Sequence, residues 1–201
     1  LYAEEGPSSL KKFNGQFALA IWDRESRSLF IARDRLGIRP LFFKRDSDEF
    51  IFASEIKALV PHGTISLEIE PKALDQTFSY WSCQSPLSPF RGIEQLLPGH
   101  YGILKDQGLS IHSYWQPQID GSGRDTRGED ELIEELDFLL KDAIRLRLLA
   151  DVPVGSYLSG GLDSSLIASV ARKYAGQRLD TFSIAFTDKS FDAVSYTHLT
   201  L

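Results

Sequence analysis

Seven consecutive residues, Ser159-Gly160-Gly161-Leu162-Asp163-Ser164-Ser165, carry the strongest chemical signal in this sequence. Two adjacent glycines let a backbone approach an anion closely and adopt positive φ. Ser164 and Ser165 place hydroxyls where a following helix would open, free either to cap it or to donate to a phosphate. Backbone N–H groups and the positive end of a helix dipole bind phosphate without a lysine. Four or five charge-assisted bonds of about 1.5–3 kcal/mol each are enough to hold a pyrophosphate group. Asp163 fits an anion site only if a divalent cation stands between its carboxylate and the phosphates, since a hard cation takes both kinds of oxygen. A Ser-Gly-Gly step alone is merely a strand-to-helix turn. The full heptapeptide, with an apolar run before it and helical spacing after it, reads as a polyphosphate loop with magnesium on Asp163. Neither the Gly-Lys-Ser/Thr ending of a Walker loop nor a Gly-x-Gly-x-x-Gly spacing occurs.

Other residues of reactive type are read as structural. Cys83 is the single cysteine and is expected to be a small buried hydrophobe. His62, His100, His112 and His198 match no metal-ligand spacing. Arg33, Asp34, Arg35 and Arg39 resemble a phosphate cluster, but charges at a hairpin end commonly pair with one another or satisfy loop backbone. The acidic stretch Glu129 to Glu135 is expected to be a solvated helix start with favourable charge.

The elements that must position these groups follow from periodicity. Short apolar runs at 17–22 and 28–32, separated by Asp23 to Arg27, then Pro40 to Phe43 and Phe50 to Ala53, separated by Lys44 to Glu49, predict a meandering antiparallel sheet. A short helix is predicted from Ser54 to Pro61, and another over Pro71 to Tyr80. Trp81 to Pro98 reads as an irregular crossover, and His100 to Tyr114 as a hairpin turning at Lys105-Asp106-Gln107-Gly108. Residues 120–128 are glycine-rich, polar and without apolar anchors, as in a linker. Apolar residues from Leu132 to Leu148 recur at steps of three and four, predicting an amphipathic helix. Val152 to Leu158 predicts a strand, Leu166 to Tyr174 a helix ending at Gly176, and Thr181 to Phe186 the next strand. That order opens a doubly wound parallel sheet.

At 201 residues and 42% hydrophobic, the chain can build one domain or pieces of two. A net charge of −6 gives no reason to expect nucleic acid or anionic membrane as a partner. No apolar run approaches the roughly 20 residues that span a bilayer, and one lone thiol fits a reducing compartment, so the cytoplasm is expected. The lack of any methionine suggests a start inside a longer protein.

The heptapeptide is similar to the pyrophosphate loop of the N-type ATP pyrophosphatases. The rest of the chain narrows this to a resemblance to the glutamine-hydrolysing asparagine synthetase family. The carrying segments are Phe13-Asn14-Gly15-Gln16-Phe17-Ala18, residues 33–41 (Arg33-Asp34 to Pro40-Leu41), Phe52-Ala53-Ser54-Glu55-Ile56-Lys57-Ala58-Leu59, Leu96-Leu97-Pro98-Gly99-His100, Tyr114-Trp115 and Asp151-Val152-Pro153-Val154-Gly155. The resemblance implies the C-terminal part of an Ntn-type class II glutaminase, an antiparallel β sandwich with helices, over residues 1–119. It also implies a linker at 120–128 and the start of a doubly wound N-type ATP pyrophosphatase domain at 129–192. Residues 193–201 depart from the family and read as a foreign junction or a frame error.

Aspartate, glutamine and ATP are the implied substrates, with a β-aspartyl-adenylate between them, and a homodimer is left open. Leu158, Ser159, Gly160, Gly161, Leu162, Asp163, Ser164, Ser165 and Ile184 are the implied ATP-binding residues, with magnesium on Asp163. Leu158 and Ile184 read equally well as plain core residues. The family's N-terminal cysteine nucleophile has no counterpart, because Leu1 stands first. No catalytic residue is therefore assigned, and the chain alone is expected to be inactive. A related amidotransferase acting on another carboxylate, β-lactam-forming or polysaccharide-modifying, would share these motifs, as would a non-enzymatic nucleotide-binding protein.

Overall fold

The run Ser28–Arg33 (β2) is apolar at four consecutive positions, which a strand with one wet face would not be. In the computed structural model β2 is the inner strand that this pattern calls for. The structure describes residues 1–106, 108–119, 126–176 and 178–184, and the chain divides into two units, Leu1–Asp120 and Gly121–Leu201.

In the first unit β2 pairs antiparallel with β1 (Ala18–Asp23), placing Ile21 opposite Phe30. On its other side it pairs with the later hairpin of β6 (His100–Lys105) and β7 (Gly108–Ser113), in the order β1-β2-β6-β7. A second antiparallel sheet has β3 (Phe42–Arg45) between β4 (Phe50–Ala53) and β5 (Glu94–Gln95). Successive side chains of a strand point to opposite faces, and β2 uses both. Ile31 packs with Phe43 of the second sheet and with Leu41 and Leu96, which adjoin its strands β3 and β5. Phe30 and Ala32 turn the other way, onto Leu10, Tyr2 and Phe13 of the N-terminal segment, where α1 (Tyr2–Glu5) runs into a 3-10 stretch at Gly6–Lys12. Each fully buried Leu, Ile or Phe among these contributes about 1.5–3 kcal/mol.

Two expectations for this unit change. The strands form two sheets rather than one meander, because β2 takes β6 as its second neighbour while β3 and β4 leave for the other layer. Ser54 to Pro61 forms 3-10 turns at Ile56–Ala58 and Val60–His62 instead of an α-helix, and Ser54 caps nothing. Pro61 allows too few residues to recover the cost of helix nucleation. The helix at Pro71–Tyr80 (α2) forms as the sequence predicts, with Glu70 accepting from Lys72 N–H, and ends at Trp81 with φ +62°. Gln107 at the hairpin tip and residues 120–125 of the expected linker lie outside the described residues.

The second unit begins with α3 (Glu129–Arg147), whose Ile144 packs on Val170 and Ala171 of α4 (Leu162–Tyr174), with Leu140, Leu148 and Leu179 around them. Between the helices lies β8 (Gly155–Tyr157), and β9 (Asp180–Phe182) follows α4. These strands pair in parallel, Gly155 opposite Asp180 and Tyr157 opposite Phe182, so β8, α4 and β9 make one βαβ unit. Both strands are shorter than the apolar runs suggest. Residues 185–186 of the expected second strand, the tail at 193–201 and His198 lie outside the described residues.

Candidate functional site

The heptapeptide sits where its composition requires, between the end of β8 and the start of α4. Leu158 leaves the strand with its N–H donating to Phe182 O at 2.8 Å, and Ser183 Oγ donates back to Leu158 O at 2.6 Å. The root of the loop is thus pinned to the end of β9. Gly160 turns the chain at φ +81°, and Gly161 is the helix N-cap in extended conformation. No side chain caps the helix, so the N–H groups of Leu162, Asp163 and Ser164 open α4 with no carbonyl one turn behind them. A Cβ built on Gly161 would stand 3.5 Å from Ser159 Oγ, on the side of the loop that carries the hydroxyls.

The serines are organised rather than splayed. Ser159 N–H donates to Ser164 Oγ at 3.2 Å, the two hydroxyls lie 3.0 Å apart, and Ser164 Oγ donates to Gly161 O at 3.1 Å. Ser165 Oγ donates to the same carbonyl at 2.8 Å. Neither hydroxyl caps the helix. Asp163 lies in the first turn of α4, exposed, where a carboxylate is favoured by the helix dipole whether or not it holds a metal. Among the described residues no group of three or more His, Cys, Asp or Glu side chains gathers around it. It would therefore supply one oxygen to a magnesium ion whose other ligands come from phosphate and water, the manner in which that ion usually binds. Open backbone donors, small side chains and one exposed carboxylate together suit a magnesium polyphosphate.

Leu158 and Ile184 flank this loop just beyond the ends of β8 and β9. Ile184 is 71% exposed, so it is no core residue among the described ones. Ser183 is the residue that sequence reasoning passed over. Its only signal was a hydroxyl at a strand end, and its role appears when β9 is laid beside β8.

The charged cluster of the first unit has a different character. Asp34 is 1% exposed and accepts four backbone N–H groups, those of Leu36 and Ile38 on Oδ1 and of Phe17 and Arg39 on Oδ2, at 2.9–3.2 Å. Burial pushes its carboxyl up, and those four donors outweigh burial, leaving its pKa below the ordinary carboxylate value. Arg33 is buried as well and donates to the carbonyls of Arg39, Leu96 and Gly37 and to Ser85 Oγ. Burial lowers its pKa and the nearby Asp34 opposes this. The two charges organise backbone rather than bond to each other.

Distant motifs converge on the same point. Gly99 N–H donates to Asp34 O, Tyr114 N–H to Gly99 O, and Tyr114 Oη to Arg33 O at 2.9 Å. Burial, then the charge of Asp34, push the Tyr114 phenol up to about 12. Cys83 is only partly buried, against Gln76, and burial raises its thiol pKa. His62 contacts Glu49 and Thr64, His100 the Pro98 carbonyl, and His112 stacks on Tyr101.

Residues 1–115, which hold the seven described strands of the first unit and the Asp34 assembly, match the glutamine amidotransferase domain family. The chain belongs to that family. A second match, to the asparagine synthase family, covers residues 135–201 and contains the Ser159–Ser165 loop. The chain is 35% identical over 202 residues to asparagine synthetase (glutamine-hydrolysing) 3 of Bacillus subtilis (strain 168), covering 97% of itself and 32% of that protein. It is 34% identical over 194 residues to asparagine synthetase (glutamine-hydrolysing) 1 of the same organism, covering 96% and 29%. Amidase chry2 of Gibberella zeae is 37% identical over 172 residues, covering 85% of the chain and 25% of the amidase. The chain therefore spans about a third of the length of the asparagine synthetases it matches. Among solved structures, the glutamine phosphoribosylpyrophosphate amidotransferase of B. subtilis aligns with 95% of the chain and 38% of its own at a TM-score of 0.39 and 17% identity. That likeness is too loose to carry an argument.

Proposed function

We propose that this chain is part of an enzyme that makes asparagine from aspartate, consuming ATP and drawing ammonia from glutamine. The observation that carries the reading is the Ser159–Ser165 loop at the mouth of a βαβ unit, in one chain with a glutamine amidotransferase family domain. On this reading residues 1–119 are the C-terminal part of an Ntn-type glutaminase and 120–128 a linker. Residues 129–192 begin a doubly wound ATP pyrophosphatase domain. A single, half-buried cysteine supports the cytoplasm as its place of work.

A carboxylate is a poor electrophile, so its oxygen must first become a good leaving group. Attack of the aspartate side chain on the α-phosphorus of ATP releases pyrophosphate and gives the acyl-adenylate, and ammonia then displaces AMP. The chain's own part is electrostatic. The first-turn N–H groups of α4 face the departing pyrophosphate, with Ser159, Ser164 and Ser165 beside it, and Gly160 and Gly161 leave room for it. Magnesium on Asp163, when bound, neutralises the phosphate charge. Leu158 and Ile184 flank the place for the adenosine.

The full-length protein should form asparagine, AMP and pyrophosphate in equal amounts, and Asp163→Ala should abolish this while leaving glutamine hydrolysis intact. Equal loss of both activities would refute the role given to Asp163, and ADP in place of AMP would refute the reaction. The amidase relative, at 37% identity, favours a second reading in which the same machinery amidates another carboxylate. A screen of carboxylate acceptors for AMP release separates the two.

A further inference from the structure

Helix α2 is amphipathic in the reverse of the usual sense. A surface helix ordinarily turns its apolar stripe to the core and its polar face to water. The one buried residue of α2 is Ala73, and half-buried Gln76, one turn on, accepts Gln84 N–H at 3.0 Å. Leu74, Phe78 and Trp81, at steps of four and three, share another face, and all are exposed, Phe78 at 80% and Trp81 at 94%. Trp81 closes the helix at φ +62°, a left-handed position usually given to glycine and disfavoured for so bulky a side chain. An exposed indole and a strained backbone thus coincide at one residue, and covering the ring with a partner would offset both.

We propose that this face of α2 is the contact between two copies of the chain, packed antiparallel about a two-fold axis at Phe78. A two-fold interface must be self-complementary, each residue meeting the counterpart that meets it. The stripe satisfies this by its spacing. With Phe78 against Phe78 of the second copy, Leu74 falls opposite Trp81 at both ends, a smaller side chain against a larger one each time. The area suffices as well. Phe78 and Trp81 are aromatic side chains that bury about 150–250 Å² each, and with the exposed parts of Leu74 and Tyr80 the face comes to about 500 Å² per copy. Two copies then bury about 1,000 Å², the size at which specific interfaces begin. A lipid surface is the poorer occupant, because Glu68, Glu70 and Asp75 adjoin the stripe in sequence against a single base, Lys72.

Sedimentation velocity of the full-length protein at rising concentration tests this without reference to the nucleotide loop. A reversible dimer is expected. Phe78→Glu, at a position exposed in the single chain, should leave the circular dichroism unchanged and weaken the dimer about a hundredfold, since the charge enters both sides of the contact. Disulfide trapping tests the geometry even where that variant folds poorly. In a Cys83→Ser background, Phe78→Cys should link two copies under mild oxidation, because equivalent residues meet at the axis, and Lys72→Cys, away from it, should not. A protein that stays monomeric, or a dimer indifferent to Phe78→Glu, would overturn the proposal. So would Lys72→Cys linking as readily as Phe78→Cys. A monomer whose Phe78→Cys thiol resists a maleimide would overturn it too, and would assign the cover of α2 to another part of the same protein.

Discussion

Replacing Asp34 by asparagine tests the reasoning about the first unit most directly. The side chain keeps its shape and size, but an amide offers an acceptor oxygen on one side only. Asp34 divides its four bonds evenly, two N–H groups on each oxygen. Whichever way the amide turns, its NH2 group faces two backbone N–H donors in a site that is 1% exposed. Two bonds to a charged acceptor are lost at about 1.5 kcal/mol or more each. The other two fall from charged to neutral strength, a further loss of about 0.5–1 kcal/mol each. The sum is about 4–5 kcal/mol, a large share of the roughly 5–15 kcal/mol that stabilises a domain.

All three tryptophans, Trp22, Trp81 and Trp115, lie in this unit, so urea unfolding followed by tryptophan fluorescence reports on it. The unfolding free energy should fall by that amount, seen as a lower midpoint with the slope unchanged. A loss below about 1 kcal/mol would show that the four contacts do not act as described. Acid supplies an independent check. The pKa of Asp34 is depressed in the folded chain, so its contribution is complete above the unfolded value and is lost as pH falls through the folded one. The asparagine variant should therefore show a flatter acid limb than the wild type. Parallel limbs would assign the acid sensitivity to other carboxylates.

Two further perturbations address the same assembly. Tyr114→Phe deletes the bond to Arg33 O and should cost about 1 kcal/mol in urea unfolding. It should also remove the tyrosine phase near pH 12 from an ultraviolet titration, because a phenol with a raised folded pKa stabilises below its unfolded pKa and ceases to do so as pH passes about 12. Gly99→Ala adds a Cβ 2.3 Å from Trp115 O at φ +66° and should lower stability by about 2 kcal/mol or more, read as a fall in the thermal midpoint.

How much could be read from the sequence followed the range of the interactions involved. The hairpin runs, α2 and the βαβ order around the loop depend on neighbours a few residues away, and periodicity recovers them. That β2 pairs with β6 depends on an approach across some seventy residues, which no local pattern encodes, and so one meander was expected where two sheets formed. The turns after Ser54 failed for a local reason, since a capping residue cannot outweigh a proline a few residues on. At the loop, residue types suggest a chemistry but do not give the hydrogen-bond partners. Ser164 and Ser165 are indistinguishable in sequence, and only the fold of Ser159 back over the helix start gives them different partners.

Two aspartates show why geometry must arbitrate where residue type cannot. Asp34 lies among arginines and Asp163 among serines and glycines, and by charge alone the arginine-rich segment looks the better phosphate site. Burial reverses the order. Arg33 spends four of its five guanidinium N–H groups on three carbonyls and a serine, and Asp34 its oxygens on four amides, so a ligand would have to displace well-formed bonds in a dry site. Asp163 stands exposed beside first-turn amides that no side chain caps. The magnesium polyphosphate proposed there would exchange water for protein donors and break no buried bond. On the proposed reading the solvent-facing carboxylate is the one placed for chemistry, while the fully satisfied one holds the chain together.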